Sequence, residues 1–340
     1  MMRLRLFLKN SAKAAPSSLN TFSFIYSLWL AVFLSGCNLL PSEPTYTADN
    51  LSNSVVKIAQ DEYKIHLTSK LAGQTLWIYL PLGEDLFVDS DKPQESISRF
   101  DFKHAEGILR KKTLNFVYDI REIPETKESQ NKKFNPKAGE KINKVLRCVR
   151  RVIFSLKRQK NGPQFFVVVA TDTKNGFELI DTTYIDDLKK VLYEMISWIE
   201  YQYRTVEDLK LAPEAIGDLT GKHLEFYDVD FERFLIEQIK QRLRVKFNRS
   251  ELPKGVDIEK EVLKSIRNVF EIYNFDDFLL LDMHNLASDK KISFSRAMVL
   301  EKSDKPEGDG GQPNSRSHSQ SHKYGKRTKK TPPASRQGKN

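Results

Sequence analysis

Between Ile142 and Thr183 the apolar period changes from about 3.6 residues to 2, and this change constrains the fold most strongly. Ile142, Val145, Leu146, Val149, Val152, Ile153 and Leu156 lie along one face of a helix. Asn161-Gly162-Pro163 then breaks the helix. Phe165–Ala170 is a β-branched and aromatic run, Lys174-Asn175-Gly176 turns the chain, and residues 177–183 return as a second strand. Asn-Gly between two such runs is a strong hairpin signal. A helix stripe of this kind buries its apolar side only against another layer, and the hairpin supplies that layer.

The same order occurs twice more. A helical stretch at about 51–61 precedes the alternating residues Tyr63, Ile65 and Leu67, then Ala72-Gly73-Gln74, then Leu76, Ile78 and Leu80. Val262, Leu263, Ile266, Val269 and Phe270 form a third stripe, followed by strands at about 278–283 and 292–299 around Ser288-Asp289-Lys290. Three helix–hairpin units near 51–81, 140–183 and 257–300 predict an α+β fold. Its sheet is antiparallel or mixed, with parallel pairs where units meet and helices packed on the sheet. The pattern also predicts helices over about 185–203 and 231–247, the latter capped by Asp230, and strands at 223–227 and 114–120. Residues 127–137 read as a polar loop. The alternation of helices and hairpins resembles, in architecture only, assembly domains of ring-forming secretion components.

Charge is unevenly placed. The chain of 340 residues carries +10 overall. Residues 1–36 hold four basic residues and no acid, and residues 302–340 hold ten basic and three acidic residues, which leaves −1 for residues 37–301. The basic isoelectric point therefore belongs to the ends, and the core shows no nucleic-acid footprint. Cys37 and Cys148 are the only cysteines, too few for a disulfide framework.

The amino-terminal segment has a basic head, Arg3, Arg5, Lys9 and Lys13, then an apolar run from Thr21 to Gly36, then Cys37. That is the layout of an export signal. The run is short for a spanning helix, which needs about 20 apolar residues. Leu34-Ser35-Gly36-Cys37 resembles the lipobox of bacterial lipoproteins. The resemblance covers residues 1–37 and implies a signal peptide cut before Cys37, with diacylglycerol on the Cys37 thiol and, usually, acylation of the new amino terminus. Two or three acyl chains hold a protein firmly to a membrane, since each buried methylene contributes about 0.8 kcal/mol. Asn38 in place of aspartate favours, by the same resemblance, the periplasmic face of the outer membrane in a two-membrane envelope. An uncleaved single-pass anchor is the alternative.

These features divide the chain into a signal (1–36), a tether (37–50), an α+β domain (51–301, with 51–135 and 136–301 as candidate subdomains) and a disordered basic tail (302–340). No P-loop, G-x-G-x-x-G or G-x-S-x-G motif occurs, and no histidine–cysteine or HExxH spacing marks a metal site. The sequence implies no cofactor. His318 and His322 sit in the tail. Asp276, Asp277, Asp282 and His284 flank an apolar strand and supply the best site for an envelope hydrolase, the second functional reading. Cys148 lies among Arg147, Arg150 and Arg151 but fits a buried helix position better than a reactive thiol. Trp198, Tyr201 and Tyr203 at a helix end mark a candidate partner surface. Lys323, Lys326, Arg327, Lys329 and Lys330 in the tail suit an anionic polymer or lipid headgroups. The first functional reading is thus a lipid-anchored, membrane-bound envelope protein with a non-catalytic binding or assembly role and an envelope protein or anionic polymer as partner.

Overall fold

The computed structural model describes residues 46–156, 162–248 and 252–301. Cys37, the lipobox residues Leu34, Ser35 and Gly36, the tail lysines and arginines, and His318 and His322 lie outside the described residues. The described residues up to Leu300 belong to one compact unit.

The fold is α+β, with helices packed on two mixed sheets. Helix α1 (Ala48–Tyr63) leads into strands β1 (Thr68–Ala72) and β2 (Thr75–Leu82). The long strands β3 (Phe87–Arg110) and β4 (Thr113–Phe134) follow as a hairpin, then α2 (Pro136–Phe154), β5 (Phe165–Asp172) and β6 (Phe177–Tyr184). Next come α3 (Ile185–Leu192), α4 (Trp198–Arg204), β7 (Val206–Leu211) and a 3₁₀ turn at Pro213–Ala215. The chain continues through α5 (Phe231–Asn248), α6 (Ile258–Tyr273), β8 (Leu280–Asn285), β9 (Lys290–Ser295) and the short α7 (Arg296–Leu300). All three expected helix–hairpin units are present: α1-β1-β2, α2-β5-β6 and α6-β8-β9.

The first sheet has the order β1-β2-β5-β6-β7, and the second β3-β4-β8-β9. Each contains one parallel pair, β2 with β5 and β4 with β8; the remaining pairs are antiparallel. The β2–β5 pair is where the first two units meet. Both sheets take strands from either side of residue 135, so neither core is confined to 51–135 or 136–301.

Strands β2 and β5 are buried along almost their whole length because the first sheet is covered on both faces. On one face, α1, α2 and α3 contribute Leu51, Val55, Val145, Val149, Val152 and Leu188 to a core with Leu76, Ile78, Phe166 and Val168. On the other, Trp77, Tyr79, Val167 and Val169 pack under Leu224, Phe226 and Val229 from the segment after β7. Trp77 Nε1 donates to the carbonyl of Tyr227 at 2.7 Å, and Tyr79 Oη donates to that of Asp218 at 2.5 Å. Gly221 lies over Tyr79 with φ +76°, and a Cβ there would sit 2.8 Å from the ring, so the close crossing requires glycine. In the second sheet, Phe100, Phe116, Tyr118 and Leu281 meet Leu235, Ile239 and Phe247 of α5 and Val262, Ile266 and Phe270 of α6.

Several local expectations are corrected, among them the last strand, which ends at Ser295 where α7 begins and not near 299. Tyr63 closes α1 and does not open a strand: Lys64 takes a left-handed conformation as the cap, and Ile65 N–H returns to the Ala59 carbonyl at 3.0 Å. Residues 46–50, expected in the tether, belong to the folded unit. Tyr46 bridges to Leu156, and Thr47 N–H donates to Asn50 Oδ1 at 2.8 Å at the start of α1. Residues 127–134 are strand, not loop. Apart from Phe87 and Phe134 at the end, the outer halves of β3 and β4 pair with each other alone and stay largely exposed on both faces, so no apolar alternation marks them; the ribbon's register shifts at three places. Residues 223–227 form no strand; side chains hold them in place, as Trp77 does at Tyr227.

The expected helix over 185–203 is two helices. Glu194 adopts φ +59°, Met195 N–H bonds to the Lys190 carbonyl at 2.8 Å, and Ser197 caps α4 by accepting from Glu200 N–H at 3.1 Å. Asp230 caps α5 as expected, accepting from Arg233 N–H at 3.0 Å. Among the described residues, no helix is long and apolar enough to cross a membrane.

Candidate functional site

Strand alternation aims Leu179, Asp181 and Thr183 of β6 to one side, and the register places Asp181 opposite Glu207 and Leu179 opposite Leu209 on β7. These residues form the floor of a groove of about 740 Å³. One wall is the side of α2, with Ile142, Leu146 and Arg150, and one end is closed by α4, with Trp198, Tyr201 and Thr205. Phe87 and Phe134, whose rings meet edge to face at 6.1 Å, close the other end.

Asp181 sits on the floor of this groove, whose lining also includes the polar residues Asn143, Arg150, Gln202, Glu207 and Gln241. Its Oδ1 is shielded from solvent and has no hydrogen-bond partner. Burial, reinforced by the like charge of Glu207 opposite, raises its pKa to about 7. The guanidinium of Arg150 lies over the Trp198 ring at 5.2 Å, and its Nε donates to the Leu146 carbonyl. The acid therefore shares the groove with apolar walls, hydroxyl groups, the Glu207 carboxylate and the Arg150 guanidinium, which is stacked on Trp198. Burial also raises the Tyr201 hydroxyl to about 12, against the influence of Thr183 and Thr205.

Of the three aromatic residues marked from the sequence, two meet at this groove. Trp198 is half exposed and contacts buried Tyr201 edge to face at 5.6 Å. Tyr203 is partly buried on α4 and is not among the lining residues. From sequence, Asp181 reads with Asp186 and Asp187 as a strand-end or turn acid; its surroundings are supplied by β7 and α2, and strand β7 carries only a weak apolar pattern.

The other sequence-marked groups have structural partners. Asp282 and His284 share one face of β8. Ser293 Oγ donates to Asp282 Oδ1 at 2.6 Å, while His284 Nε2 pairs with Asp289 at 2.8 Å. Asp277 pairs with Lys112 at 2.8 Å, and the Asp276 carbonyl accepts from Arg296 at 3.1 Å. Asp277, Asp282 and His284 are each paired with a different neighbour. Cys148 is buried, its thiol raised to about 11 by burial and by Glu62, which leaves it unreactive. Among the described residues, no group of metal-ligating side chains converges.

A second polar cluster lies under the segment after β7. His223 Nε2 meets buried Glu178 Oε1 at 2.7 Å, and His223 Nδ1 meets Asp218 Oδ2 at 2.7 Å. Thr171 Oγ1 also donates to Glu178, at 3.0 Å, and Lys210 Nζ stands 3.1 Å from its other oxygen. Burial disfavours the imidazolium, but the two carboxylates outweigh it and raise the His223 pKa. Both ring nitrogens are engaged by carboxylates, and His223 pins the covering segment to the sheet. A raised histidine pKa gives stability that is complete below the unfolded value of about 6.5 and is lost as pH rises through the folded value. Urea unfolding across pH 6–9 is therefore expected to show falling stability on the alkaline side, and His223→Gln to flatten that limb.

No known protein family, curated protein or solved structure matches the chain.

Proposed function

We propose that this chain is a lipid-anchored protein of the cell envelope, held by Cys37, whose folded unit binds a ligand in the Asp181 groove. The observation that carries the binding role is that Asp181, whose shielded Oδ1 has no hydrogen-bond partner, lines a groove walled largely by Phe, Leu, Ile, Trp and Tyr side chains. A ligand with an apolar body and a cationic group suits it: the body replaces water against the walls, and the cation meets Asp181 and Glu207. The basic tail would add contacts to anionic polymer or lipid. The lipobox resemblance supports the attachment and, with Asn38, the outer-membrane face.

Octylammonium is a direct probe. It is expected to change Trp198 emission, and Asp181→Asn to weaken binding by about tenfold or more. Because only ionised Asp181 attracts a cation, affinity is expected to rise with pH through about 7. Equal binding of octanoate, or unchanged binding by Asp181→Asn, would remove the groove from the proposal.

A further inference from the structure

The break between α3 and α4 leaves an apolar surface beside the groove. Phe154, Tyr193, Met195, Trp198 and Ile199 are each 40–70% exposed. The Phe154 and Tyr193 rings meet at 5.6 Å, and Arg150 reaches from α2 across the Trp198 ring. Exposed large apolar side chains of this composition on neighbouring elements mark an interaction surface. Tryptophan and tyrosine are side chains that settle at the boundary between acyl chains and headgroups, and Arg150 adds a cation suited to lipid phosphate.

The place where the chain enters the fold identifies the occupant. Tyr46 N–H donates to the carbonyl of Ser155 at 3.1 Å, and Tyr46 bridges to Leu156. The chain arriving from Cys37 thus joins the folded unit one residue from Phe154. The nine-residue separation between Cys37 and Tyr46 spans at most about 30 Å even when fully extended. A lipid on Cys37 would hold the patch within that distance of a bilayer, where a short tether gives an effective concentration of order millimolar. Weak interfacial contacts are enough in that regime.

We propose that Phe154, Tyr193, Met195, Trp198 and Ile199 form a membrane-docking surface that seats the folded unit on the bilayer holding Cys37. This rests on the lipid-anchor reading, and the test separates the two. The processed full-length protein is reconstituted in vesicles of phosphatidylethanolamine and phosphatidylglycerol with brominated acyl chains. Trp198 emission, isolated as the difference between wild type and Trp198→Phe, is expected to fall roughly twofold relative to unbrominated vesicles, as for an indole at the acyl boundary. The pair Met195→Ser and Ile199→Ser changes two exposed side chains. It is expected to restore most of that emission and open Trp198 to aqueous acrylamide, while the protein still sediments with vesicles. Sedimentation without Trp198 quenching would overturn docking and leave the anchor standing. Failure to sediment would overturn both. Equal shielding of Trp198 in lipid-free detergent, with a dimer on sizing, would make the patch a contact between copies and overturn docking.

Discussion

Asp187→Ala is expected to lower the free energy of unfolding by about 3–5 kcal/mol, the usual cost of removing one partner from a buried ion pair. Asp187 is fully buried where the two cores meet. Its Oδ1 accepts from Arg204 at 2.9 Å, with Lys190 Nζ at 3.4 Å, and its Oδ2 accepts from the Tyr273 hydroxyl at 2.8 Å. Arg204 also reaches Glu200 at 2.8 Å, and its carbonyl accepts from Gln238 on α5 at 2.5 Å. Around this network, Phe165 and Tyr184 of the first sheet and Phe231, Phe234 and Tyr273 of α5 and α6 form an aromatic layer. Alanine would strand the Tyr273 hydroxyl, whose pKa burial and Asp187 already hold far above its ordinary range, and would leave Arg204 with Glu200 alone. Tyr273→Phe removes one hydrogen bond and is expected to cost about 1 kcal/mol. Chemical denaturation of both single variants and the double variant measures the coupling, and their effects are expected to be clearly non-additive.

The second large effect has the opposite sign. Asp181→Leu is expected to stabilise the protein at pH 8 by about 2–4 kcal/mol and to abolish octylammonium binding. A carboxyl raised from about 3.9 unfolded to about 7 folded costs nothing below the lower value. Its penalty grows as pH rises between the two and is constant above the higher one. Three units correspond to about 4 kcal/mol, and water reaching the groove lowers the figure. Wild-type stability is therefore expected to lose a few kcal/mol between pH 4 and pH 7 through this group, and Asp181→Leu to remove that slope. A residue whose removal stabilises the fold and eliminates binding is what a functional acid in an apolar groove should be. Thermal unfolding at pH 5 and pH 8 checks both halves: the variant's advantage is expected to be small at the first and large at the second.

The frame was legible wherever one face of an element is buried and the other is not. The α2 stripe from Ile142 to Ile153 and the Asn175-Gly176 turn place the central unit correctly, and Asp230 was readable as the α5 cap. What escaped lacks a local signature. Apart from the Phe87–Phe134 pair at its end, the outer half of the β3–β4 ribbon is largely exposed, so its strand character resides mainly in pairing. The segment at 223–227 looks like a strand because Leu224 and Phe226 alternate, yet those residues cover a sheet they do not join. The break at Glu194 depends on a left-handed residue that no glycine or asparagine advertises. Of the site, Trp198 and Tyr201 stood out by type and position. Asp181 did not, because the property that matters is the absence of a partner, and only the register of β6 against β7 and the course of α2 create it.

The account rests on attachment through Cys37, and intact-mass analysis of membrane-fraction protein, wild type beside Cys37→Ser, tests it most directly. The prediction is a wild-type chain that lacks residues 1–36 and carries added acyl mass, and a Cys37→Ser chain that retains those residues, gains no acyl mass and loses the lipid-dependent attachment. An unmodified wild-type mass of 39.4 kDa, matched by the serine variant apart from the single atom exchanged, would contradict it.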